Sequence, residues 1–375
     1  MHRTPLHKFH LDNGAQMVDF AGWDMPILYS GIIEEHRQVR SSGGLFDVSH
    51  MGRVKIHGRH ARRFLETLCT RRISDMQPGQ CRYSLVCNAA GGVRDDVIVY
   101  RIDEDEFLVV VNASNRQKIL EHIDQVRSAG DYSLKIDDQT MSTAMVALQG
   151  PKVMDLVGKV SREVPTLKRY RFTVKNLVIT KLIVSRTGYT GEDGVEVILP
   201  SMTVDLAMKL LLKDVDLKDP RAALKPVGLG ARDTLRMEAA MPLYGHELGE
   251  GINALACGVD FAISLDKHNA EKGERFIGQD ALEKTAAAGG PPHRLVGLQI
   301  EGKRAARQGN TIKTAGRDAG HVTSGCLSPT LDKVIAMGFV ERALTAPGTP
   351  LTIDTGRAEL AATVVPMPFY KTAKA

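Results

Sequence analysis

Short apolar runs typical of β-strands alternate along this chain with segments whose apolar residues recur at helical spacing. The strand-like runs are 96–102, 107–112, 144–148, 177–185 and 195–199. The helical patterns lie near 115–128 and 203–213. Because strands and helices are interleaved, the sequence predicts a mixed α/β (α+β) fold and excludes collagen-like, coiled-coil and wholly disordered chains.

The N-terminal residues predict a hairpin followed by a helix. Between residues 9 and 23, Asp12-Asn13-Gly14 places turn residues between two apolar-containing segments. From Ser30 to Arg40, apolar residues recur at helical spacing, and the pattern stops near Gly43 and Gly44. We therefore expect regular structure from the first residues onward.

The clearest break in the chain is Thr285-Ala-Ala-Ala-Gly-Gly-Pro-Pro292, where small residues and a proline pair follow a helical pattern. A chain of 375 residues also exceeds what one hydrophobic core usually supports. We therefore expect a larger region at 1–284, a linker at 285–292 and a compact β-rich domain at 293–375. Strand-like runs within that last domain include 320–325 and 336–340.

Charge, cysteine content and motifs exclude several classes of protein. The chain has 49 basic and 44 acidic residues, a net charge of +5, and its basic clusters are too short to predict nucleic-acid binding. Five cysteines without paired spacing predict neither a disulfide framework nor structural zinc. The start, MHRTPLHKFH, shows neither the hydrophobic region of a signal peptide nor an Arg/Ser-rich presequence, and no apolar stretch approaches the length of a membrane span. We expect a cytoplasmic bacterial protein that does not contact a membrane.

Two adjacent acids, Asp95 and Asp96, lie between a glycine turn at Gly91-Gly92 and an alternating strand. Since successive strand side chains point to opposite faces, we expect Asp96 to share a face with Ile98 and Tyr100, and Asp95 to point away. An acid among apolar neighbours can have its proton affinity tuned, or can hold an amine nucleophile by a hydrogen bond. A carboxylate that only orders the turn is the alternative.

Two further segments combine glycine with charge. Glu196 follows a glycine-rich turn into a strand, where a carboxylate can accept paired N–H donors from a guanidine-like heterocyclic edge, or can merely satisfy nearby backbone groups. Arg232 and Arg236 lie one turn apart on a helix that begins after Gly228. They can bind an anionic ligand, or pair with Asp233 or Glu238.

Histidine and cysteine give weaker signals. His50 and His246 have distinctive surroundings, but neither has an obvious metal-ligand neighbour. Each is a candidate proton shuttle, and a packed histidine bonded to the backbone is the alternative. Cys326 has no visible activating partner, so we expect a small core residue.

Together these motifs resemble the aminomethyltransferase, or T-protein, family of the glycine cleavage system. In the first half of the chain the matching segments are Thr4-Pro5-Leu6, Phe20-Ala21-Gly22-Trp23, Leu45-Phe46-Asp47-Val48-Ser49-His50-Met51, the double-aspartate strand and Leu148-Gln149-Gly150-Pro151. In the second half they are Gly188-Tyr189-Thr190-Gly191-Glu192-Asp193-Gly194, Gly230-Ala231-Arg232-Asp233, Pro242-Leu243-Tyr244-Gly245, Thr323-Ser324-Gly325 and Ala336-Met337-Gly338-Phe339-Val340. The resemblance therefore spans nearly the whole chain.

The resemblance implies a three-domain, cloverleaf-like fold around a central folate site, with two intertwined subdomains in 1–284. It implies an enzyme that uses tetrahydrofolate and an aminomethyl group carried on the lipoyl arm of H-protein. The products implied are ammonia, 5,10-methylenetetrahydrofolate and dihydrolipoyl H-protein. The partners implied are H-protein and tetrahydrofolate, and no metal is required.

The same comparison assigns residues. Asp96 occupies the position of the family's catalytic aspartate, Glu196 is the expected carboxylate for the pterin edge, and Arg232 is another ligand-binding residue. The positions that match the lining of the family's pocket are Tyr83, Tyr100, Asn112, Tyr189 and Met51.

Two departures and two alternatives accompany this resemblance. Val259-Asp260-Phe261-Ala262 stands where relatives have a tryptophan, and Thr372-Ala-Lys-Ala375 lacks the terminal tyrosine of some members. One alternative is a folate-dependent demethylase that acts on a free methylated amine or sulfonium compound. The other is a non-enzymatic folate-binding factor, whose K-G-C motif is here Lys272-Gly273-Glu274. The missing cysteine counts against that second alternative.

Overall fold

The computed structural model describes residues 1–177 and 180–372. Its α-helices are α1 (His7–Asp12), α2 (Ile32–Ser41), α3 (Ala61–Leu68), α4 (Arg116–Ala129), α5 (Val153–Val160), α6 (Val204–Leu211), α7 (Leu229–Glu238) and α8 (Gln279–Ala287). The strands of the first half are β1 (His2–Arg3), β2 (Gln16–Phe20), β3 (Trp23–Leu28), β4 (Gly44–Asp47), β5 (Gly52–His57), β6 (Gln80–Cys87), β7 (Val93–Asp103), β8 (Glu106–Val111), β9 (Lys135–Asp138) and β10 (Thr143–Gln149). Those of the second half are β11 (Phe172–Leu177), β12 (Thr180–Ser185), β13 (Gly194–Pro200), β14 (Lys225–Pro226), β15 (His293–Ile300), β16 (Thr311–Thr314), β17 (Arg317–Ser328), β18 (Lys333–Glu341), β19 (Pro350–Asp354) and β20 (Glu359–Val365).

These strands form three open sheets and a barrel. The small N-terminal sheet has the order β1-β3-β2, a five-stranded sheet has the order β6-β7-β8-β5-β9, and a six-stranded sheet has the order β11-β12-β13-β10-β4-β14. The last six strands close into a barrel of order β15-β18-β17-β16-β19-β20. The expected mixed α/β fold with a β-rich C-terminal domain is confirmed. No helix among the described residues is both long enough and apolar enough to cross a membrane.

The hairpin expected between residues 9 and 23 is wrong in its position. Asn13 and Gly14 end α1 instead, since Gly14 has a φ of +74° and its N–H reaches back to the carbonyl of Leu11. The hairpin is formed by β2 and β3, and its turn is Ala21-Gly22, where both φ angles are positive. A glycine after polar residues fits a helix end as well as a hairpin, and the burial of His10 on α1 decides between them.

Two other expectations need correction. The run 177–185 is not one strand, because Leu177 ends β11 and pairs with Thr180, the first residue of β12. Val178 and Ile179 lie outside the described residues. Thr285 to Ala287, expected in the linker, form the last turn of α8. Their alanines have the highest helix propensity of any residue, so the helix continues up to the glycine pair.

The long strand β7 separates two cores. Val97 and Val99 point to one face and pack with α3 and α4, whereas Ile98 and Tyr100 point to the other face. That second face meets the six-stranded sheet and α7 in a central apolar cluster, which includes Ile198 of β13 and Ala231 of α7. The alternation expected for this strand therefore directs one face of β7 toward the middle of the molecule.

Helix α7 also joins the barrel to the rest of the molecule. Met237, near the end of α7, packs against Met337 and Phe339 of β18. On its other side, Ala231 and Leu235 belong to the central cluster. One short helix is thus in contact with both the centre of the molecule and the C-terminal barrel.

Candidate functional site

The candidate site is formed around Asp96, on the central face of β7. Tyr83 Oη donates a hydrogen bond to Asp96 Oδ2 (3.1 Å), and Asn112 Nδ2 donates to Asp96 Oδ1 (2.6 Å). Tyr83 lies on the neighbouring strand β6, and Asn112 directly follows β8, so the sheet register fixes both donors. Each carboxylate oxygen therefore has one protein donor and keeps a lone pair free.

Burial controls the protonation of this acid. It raises the pKa of Asp96 to about 6, although the hydrogen bonds from Asn112 and Tyr83 act in the opposite direction. The ordinary value for an aspartate is about 3.9. A carboxylate with a pKa near the operating pH can both accept and return a proton, which is the requirement for general acid–base catalysis.

The neighbouring acid, Asp95, faces away from the site and is fully buried. Its Oδ2 accepts the backbone N–H of Asn112 (3.0 Å), and its Oδ1 accepts Nδ2 of both Asn112 (2.8 Å) and Asn115 (2.6 Å). Burial, with the nearby charge of Asp96, raises the pKa of Asp95 to about 7.

Glu196 lies on β13 and is 6% exposed. Thr187 Oγ1 donates a hydrogen bond to Glu196 Oε2 and lies 2.7 Å from Ser185 Oγ, which is 3.1 Å from the Tyr100 hydroxyl. Burial raises the pKa of Glu196, while the Thr187 bond and the charge of Arg232 lower it. The result is a desolvated carboxylate at the end of a chain of hydroxyl groups.

Arg232 and Tyr189 form a second part of the site. The Arg232 guanidinium lies over the Tyr189 ring, 4.6 Å from its centroid, and the Tyr189 hydroxyl donates to the carbonyl of Pro242 (2.5 Å). Gly188 permits this loop to pass close to Gln149, because a Cβ at Gly188 would lie 1.8 Å from the Gln149 side-chain oxygen. Arg232 Nη1 is buried and makes no hydrogen bond within the described part of the chain.

The predicted residues fall into two connected groups. Tyr83, Asp96 and Asn112 are joined by hydrogen bonds, and Tyr100 reaches Glu196 through the hydroxyl chain. The Arg232 charge acts on the pKa of Glu196, and the charge of Asp96 acts on that of Tyr189, so the groups face one another. Met51 has no polar role; it is half-buried against the cluster that contains Tyr100.

Arg236, the second arginine of α7, is not at this site. It is 1% exposed, and its Nη1 lies 3.0 Å from Glu247 Oε2, while its Nε lies 2.8 Å from Asp233 Oδ1. The expected alternative partner Asp233 is therefore confirmed. Glu238 instead pairs with Arg40 (2.9 Å).

Both histidines are packed, but they differ in their hydrogen bonding: His50 Nδ1 is buried and has no partner within the described residues, whereas His246 Nδ1 is hydrogen-bonded. His246 Nδ1 lies 2.9 Å from the carbonyl of Thr323, as expected for a histidine bonded to the backbone. His50 is 3% exposed, and burial lowers its pKa to about 4, so it is neutral at physiological pH. Neither ring contacts Asp96.

One of the two departures from the family pattern, at Phe261, borders this region. Phe261 is 61% exposed, and its ring lies 5.8 Å from that of Tyr83. The Arg40 guanidinium lies over the ring of Tyr370, in the C-terminal segment, with Cζ 4.2 Å from the ring centroid. The backbone N–H of Tyr370 donates to the carbonyl of Glu238. Ala373 to Ala375, at the end of the tail without a terminal tyrosine, lie outside the described residues.

Sequence reasoning missed Thr187 and Asn115. Thr187 holds the Glu196 carboxylate, and Asn115 holds Asp95. Thr187 stands in the same glycine-rich segment as Tyr189, and Asn115 follows Asn112 by three residues. This proximity in the sequence could have indicated both residues. It could not show their partners, because Glu196 and Asp95 lie on other segments of the chain.

A surface depression of about 610 Å³ lies away from this site. It is bordered by residues that include Leu28, Gly31 and Ile33, and its charged residues, Glu34 and Arg37, are exposed. It therefore has no desolvated acid or base. Within residues 1–177 and 180–372, no three His, Cys, Asp or Glu side chains are grouped to hold a metal ion.

Comparison with known proteins gives a consistent result. Residues 6–267 match the GCVT N-terminal domain, and residues 293–371 match the glycine cleavage T-protein C-terminal barrel domain. The aminomethyltransferase of Symbiobacterium thermophilum is 41% identical over 374 residues, covering 98% of this chain and 97% of the relative. That of Rubrobacter xylanophilus is 44% identical over 373 residues, covering 99% and 95%. The crystal structure of glycine cleavage system aminomethyltransferase T from Bartonella henselae has a TM-score of 0.89 at 29% identity, covering 99% of this chain and 98% of that one.

Proposed function

This chain belongs to the aminomethyltransferase family of the glycine cleavage system, and from that premise we propose its reaction. It transfers the methylene carbon of the aminomethyl group on lipoylated H-protein to tetrahydrofolate. Ammonia and dihydrolipoyl H-protein are released and 5,10-methylenetetrahydrofolate is formed, because two carbon–nitrogen bonds to folate replace the bonds of this carbon to the amine nitrogen and to the lipoyl sulfur. The reaction takes place in the cytoplasm of a bacterium, with neither nucleic acid nor membrane as a partner.

One observation carries this proposal: the desolvated Asp96 carboxylate faces the loop and helix that hold Tyr189 and Arg232. The pKa of Asp96 is raised by burial, and Tyr83 and Asn112 fix its two oxygens. Buried groups with perturbed pKa values that converge on one place are typical of catalytic sites.

The residues present suit a pterin. Glu196 is a buried acceptor whose only side-chain donor among the described residues is Thr187, and Arg232 Nη1 is a buried donor without a hydrogen-bond partner. Such groups are costly to bury unless a ligand satisfies them. A heterocycle with an aminopyrimidinone edge offers N–H donors for Glu196 and an acceptor for Arg232. Tyr83 and Tyr189 add aromatic surface for a flat ring.

When bound, tetrahydrofolate supplies the amine that takes up the carbon. Asp96 accepts a hydrogen bond from that amine, which orients the nitrogen lone pair toward the aminomethyl carbon and increases its nucleophilicity. As the carbon–nitrogen bond to the leaving amine breaks, Asp96 assists the transfer of the proton that departs with ammonia. Tyr83 and Asn112 hold the carboxylate still throughout.

A single-turnover assay tests the reaction. Purified protein is mixed with tetrahydrofolate and aminomethyl-loaded H-protein, and methylenetetrahydrofolate and ammonia are followed together. We expect both products in equal amounts. Folate binding without either product, or equal turnover of free methylated amines or sulfonium compounds, would contradict the proposal and favour a binding factor or a demethylase.

We expect Glu196→Gln to weaken tetrahydrofolate binding. A hydrogen bond to a charged group contributes about 1.5–3 kcal/mol, so the dissociation constant is expected to rise by about 10- to 150-fold. Equilibrium titration of folate fluorescence measures it. Glu163→Gln is the matched control, because Glu163 is an exposed acid that pairs with Lys175 and has no contact with the site. Unchanged affinity in Glu196→Gln would remove Glu196 from the pocket.

The pH dependence of turnover is expected to follow Asp96. Protonation removes its acceptor function, so the rate should be maximal above the pKa of about 6 and should fall as the pH drops through it. The titratable groups close enough for the charge of Asp96 to shift their pKa are Asp95, Tyr83, Tyr189 and Cys257. Of these, Asp95 alone titrates in the same range. Single-turnover rates across this range, compared with the residual rate of Asp96→Asn, provide the measurement. An acid limb that persists in Asp96→Asn would assign it to another group.

A further inference from the structure

We propose that Asp95 is a positioning residue for the reaction, because its carboxylate fixes the side-chain amide of Asn112 that in turn holds Asp96. The expected effect on the reaction rate rests on the proposed function, whereas the hydrogen-bond geometry does not. Asp95 itself lies on the opposite face of β7 from the site, so it cannot touch the substrate.

The geometry of the Asn112 amide carries the argument. Its Nδ2 lies 2.8 Å from Asp95 Oδ1 and 2.6 Å from Asp96 Oδ1. An amide nitrogen has two hydrogens, and these two carboxylate oxygens use both of them. The same Nδ2 also lies 3.2 Å from the Asp96 carbonyl oxygen, which is a longer contact. One amide group therefore bridges the two faces of the strand.

Asp95 and Asp96 together determine which way this amide is turned. An ionised carboxylate can only accept, so each acid in that form requires the nitrogen side of the Asn112 amide to face the strand. If the amide rotated by half a turn, its oxygen would face two carboxylates and lose both hydrogen bonds. Asp95 also accepts the backbone N–H of Asn112 and the side chain of Asn115, which holds the start of α4 against the strand.

This placement has a chemical consequence for Asp96. Its Oδ1 is held by Asn112 and its Oδ2 by Tyr83, so the plane of the carboxylate is fixed only while both donors stay in place. Small misplacements of a catalytic group cost large factors in rate without a comparable loss of substrate binding. We therefore expect Asp95 to influence the rate of the chemical step, and not folate affinity.

The test is the substitution Asp95→Asn, which keeps the size of the side chain. Asp95 Oδ1 accepts both side-chain amides and Oδ2 accepts the Asn112 backbone N–H, so the new NH2 group meets an N–H donor of Asn112 in either orientation and displaces that residue. We expect the single-turnover rate at saturating folate to fall by about tenfold or more, while the folate dissociation constant changes by less than about threefold.

A double-mutant cycle tests whether Asp95 acts through Asn112. In the Asn112→Ala background, Asp95→Asn is expected to reduce the rate by less than about twofold further, because the amide through which it acts is gone. Multiplicative effects of the two changes would contradict the proposal. If Asp95→Asn protein does not fold, Asn112→Ala alone decides, since an unchanged rate there would remove the bridging amide from the reaction.

Asp138→Asn is the matched control. Asp138 is a part-buried acid at the end of β9 in the same sheet; it accepts hydrogen bonds from Arg116 and Thr140 and has no contact with Asn112. The Asp138→Asn substitution should lower the free energy of unfolding without lowering the single-turnover rate. An equal rate loss in this variant would show that Asp95 matters only for the sheet.

A structural measurement, which does not depend on turnover, tests the positioning role of Asp95 separately from the proposed function. In a crystal structure of Asp95→Asn, the distance from Asn112 Nδ2 to Asp96 Oδ1 should exceed the 2.6 Å of the parent protein. An unmoved amide would overturn the positioning role even if the enzyme carries out another reaction. Absence of aminomethyl transfer by the parent protein would overturn only the proposed function.

Discussion

Asp96→Asn is expected to abolish most of the turnover while the protein still folds and still binds folate. General acid–base groups contribute about 10²- to 10⁴-fold to the rate, so a single-turnover rate lower by that factor is expected. Asparagine keeps the shape of the side chain, but it cannot take up a proton, and its amide nitrogen would meet the donor from Tyr83 or from Asn112. Rapid-mixing measurement of methylenetetrahydrofolate formation gives the rate.

The control for this change lies on the same strand. Asp103→Asn alters an exposed aspartate at the end of β7. Within residues 1–177 and 180–372 its side chain accepts only the N–H of Glu104, so the rate of this variant should equal that of the parent protein. Folate titration of both variants shows whether the pocket is intact. Full turnover by Asp96→Asn protein with normal folate binding would remove Asp96 from the chemistry.

The largest effect on stability is expected at Glu247, which is completely buried beside Arg236. Its Oε1 accepts hydrogen bonds from the hydroxyls of Thr323 and Ser324, each at 2.6 Å, and its Oε2 accepts from Arg236 at 3.0 Å. Glu247→Ala leaves the Arg236 cation buried without its main partner, which typically costs about 3–5 kcal/mol. Denaturant unfolding followed by circular dichroism measures the loss in the free energy of unfolding.

The second partner of Arg236 supplies the comparison. Asp233 bonds to the same guanidinium at 2.8 Å, but its side chain is 54% exposed. Solvent screens such a pair, so Asp233→Ala should cost less than about 1 kcal/mol. Equal losses in the two variants would show that burial is not what makes Glu247 important.

This pair also explains how the barrel is attached. Arg236 and Glu247 belong to the larger region, whereas Thr323 and Ser324 lie on β17 of the barrel. The ion pair is therefore completed by hydroxyls from the C-terminal domain. We expect Glu247→Ala to weaken the docking of the barrel against α7 as well as the region in which Glu247 lies.

Local features of the fold could be predicted from the sequence because they depend on residues that are close together in the chain. The alternation along β7 predicted that Asp96, Ile98 and Tyr100 share a face, and the helical spacing placed Arg232 one turn from Arg236. The same reasoning failed at Gly14, where a glycine suits a helix end or a hairpin turn, and only the packing of α1 distinguishes them.

The resemblance of scattered motifs predicted the family, which the comparisons confirm. It also assigned roles to Asp96, Glu196 and Arg232, and these roles stay predictions until the variants are measured. Motif matching could name the residues because each motif is a short contiguous segment. It could not show which side chains lie against them.

The sequence by itself determined the fold class, the type of several elements, and the family. The tertiary structure alone decided the partners: Asn112 bridges two acids 16 and 17 residues away, Thr187 holds Glu196, and Glu247 is shared between α7 and the barrel. The physical reason is that strand periodicity and helix spacing act over a few residues. Hydrogen-bond partners are instead set by how sheets and helices pack, which brings distant segments to within 3 Å of each other.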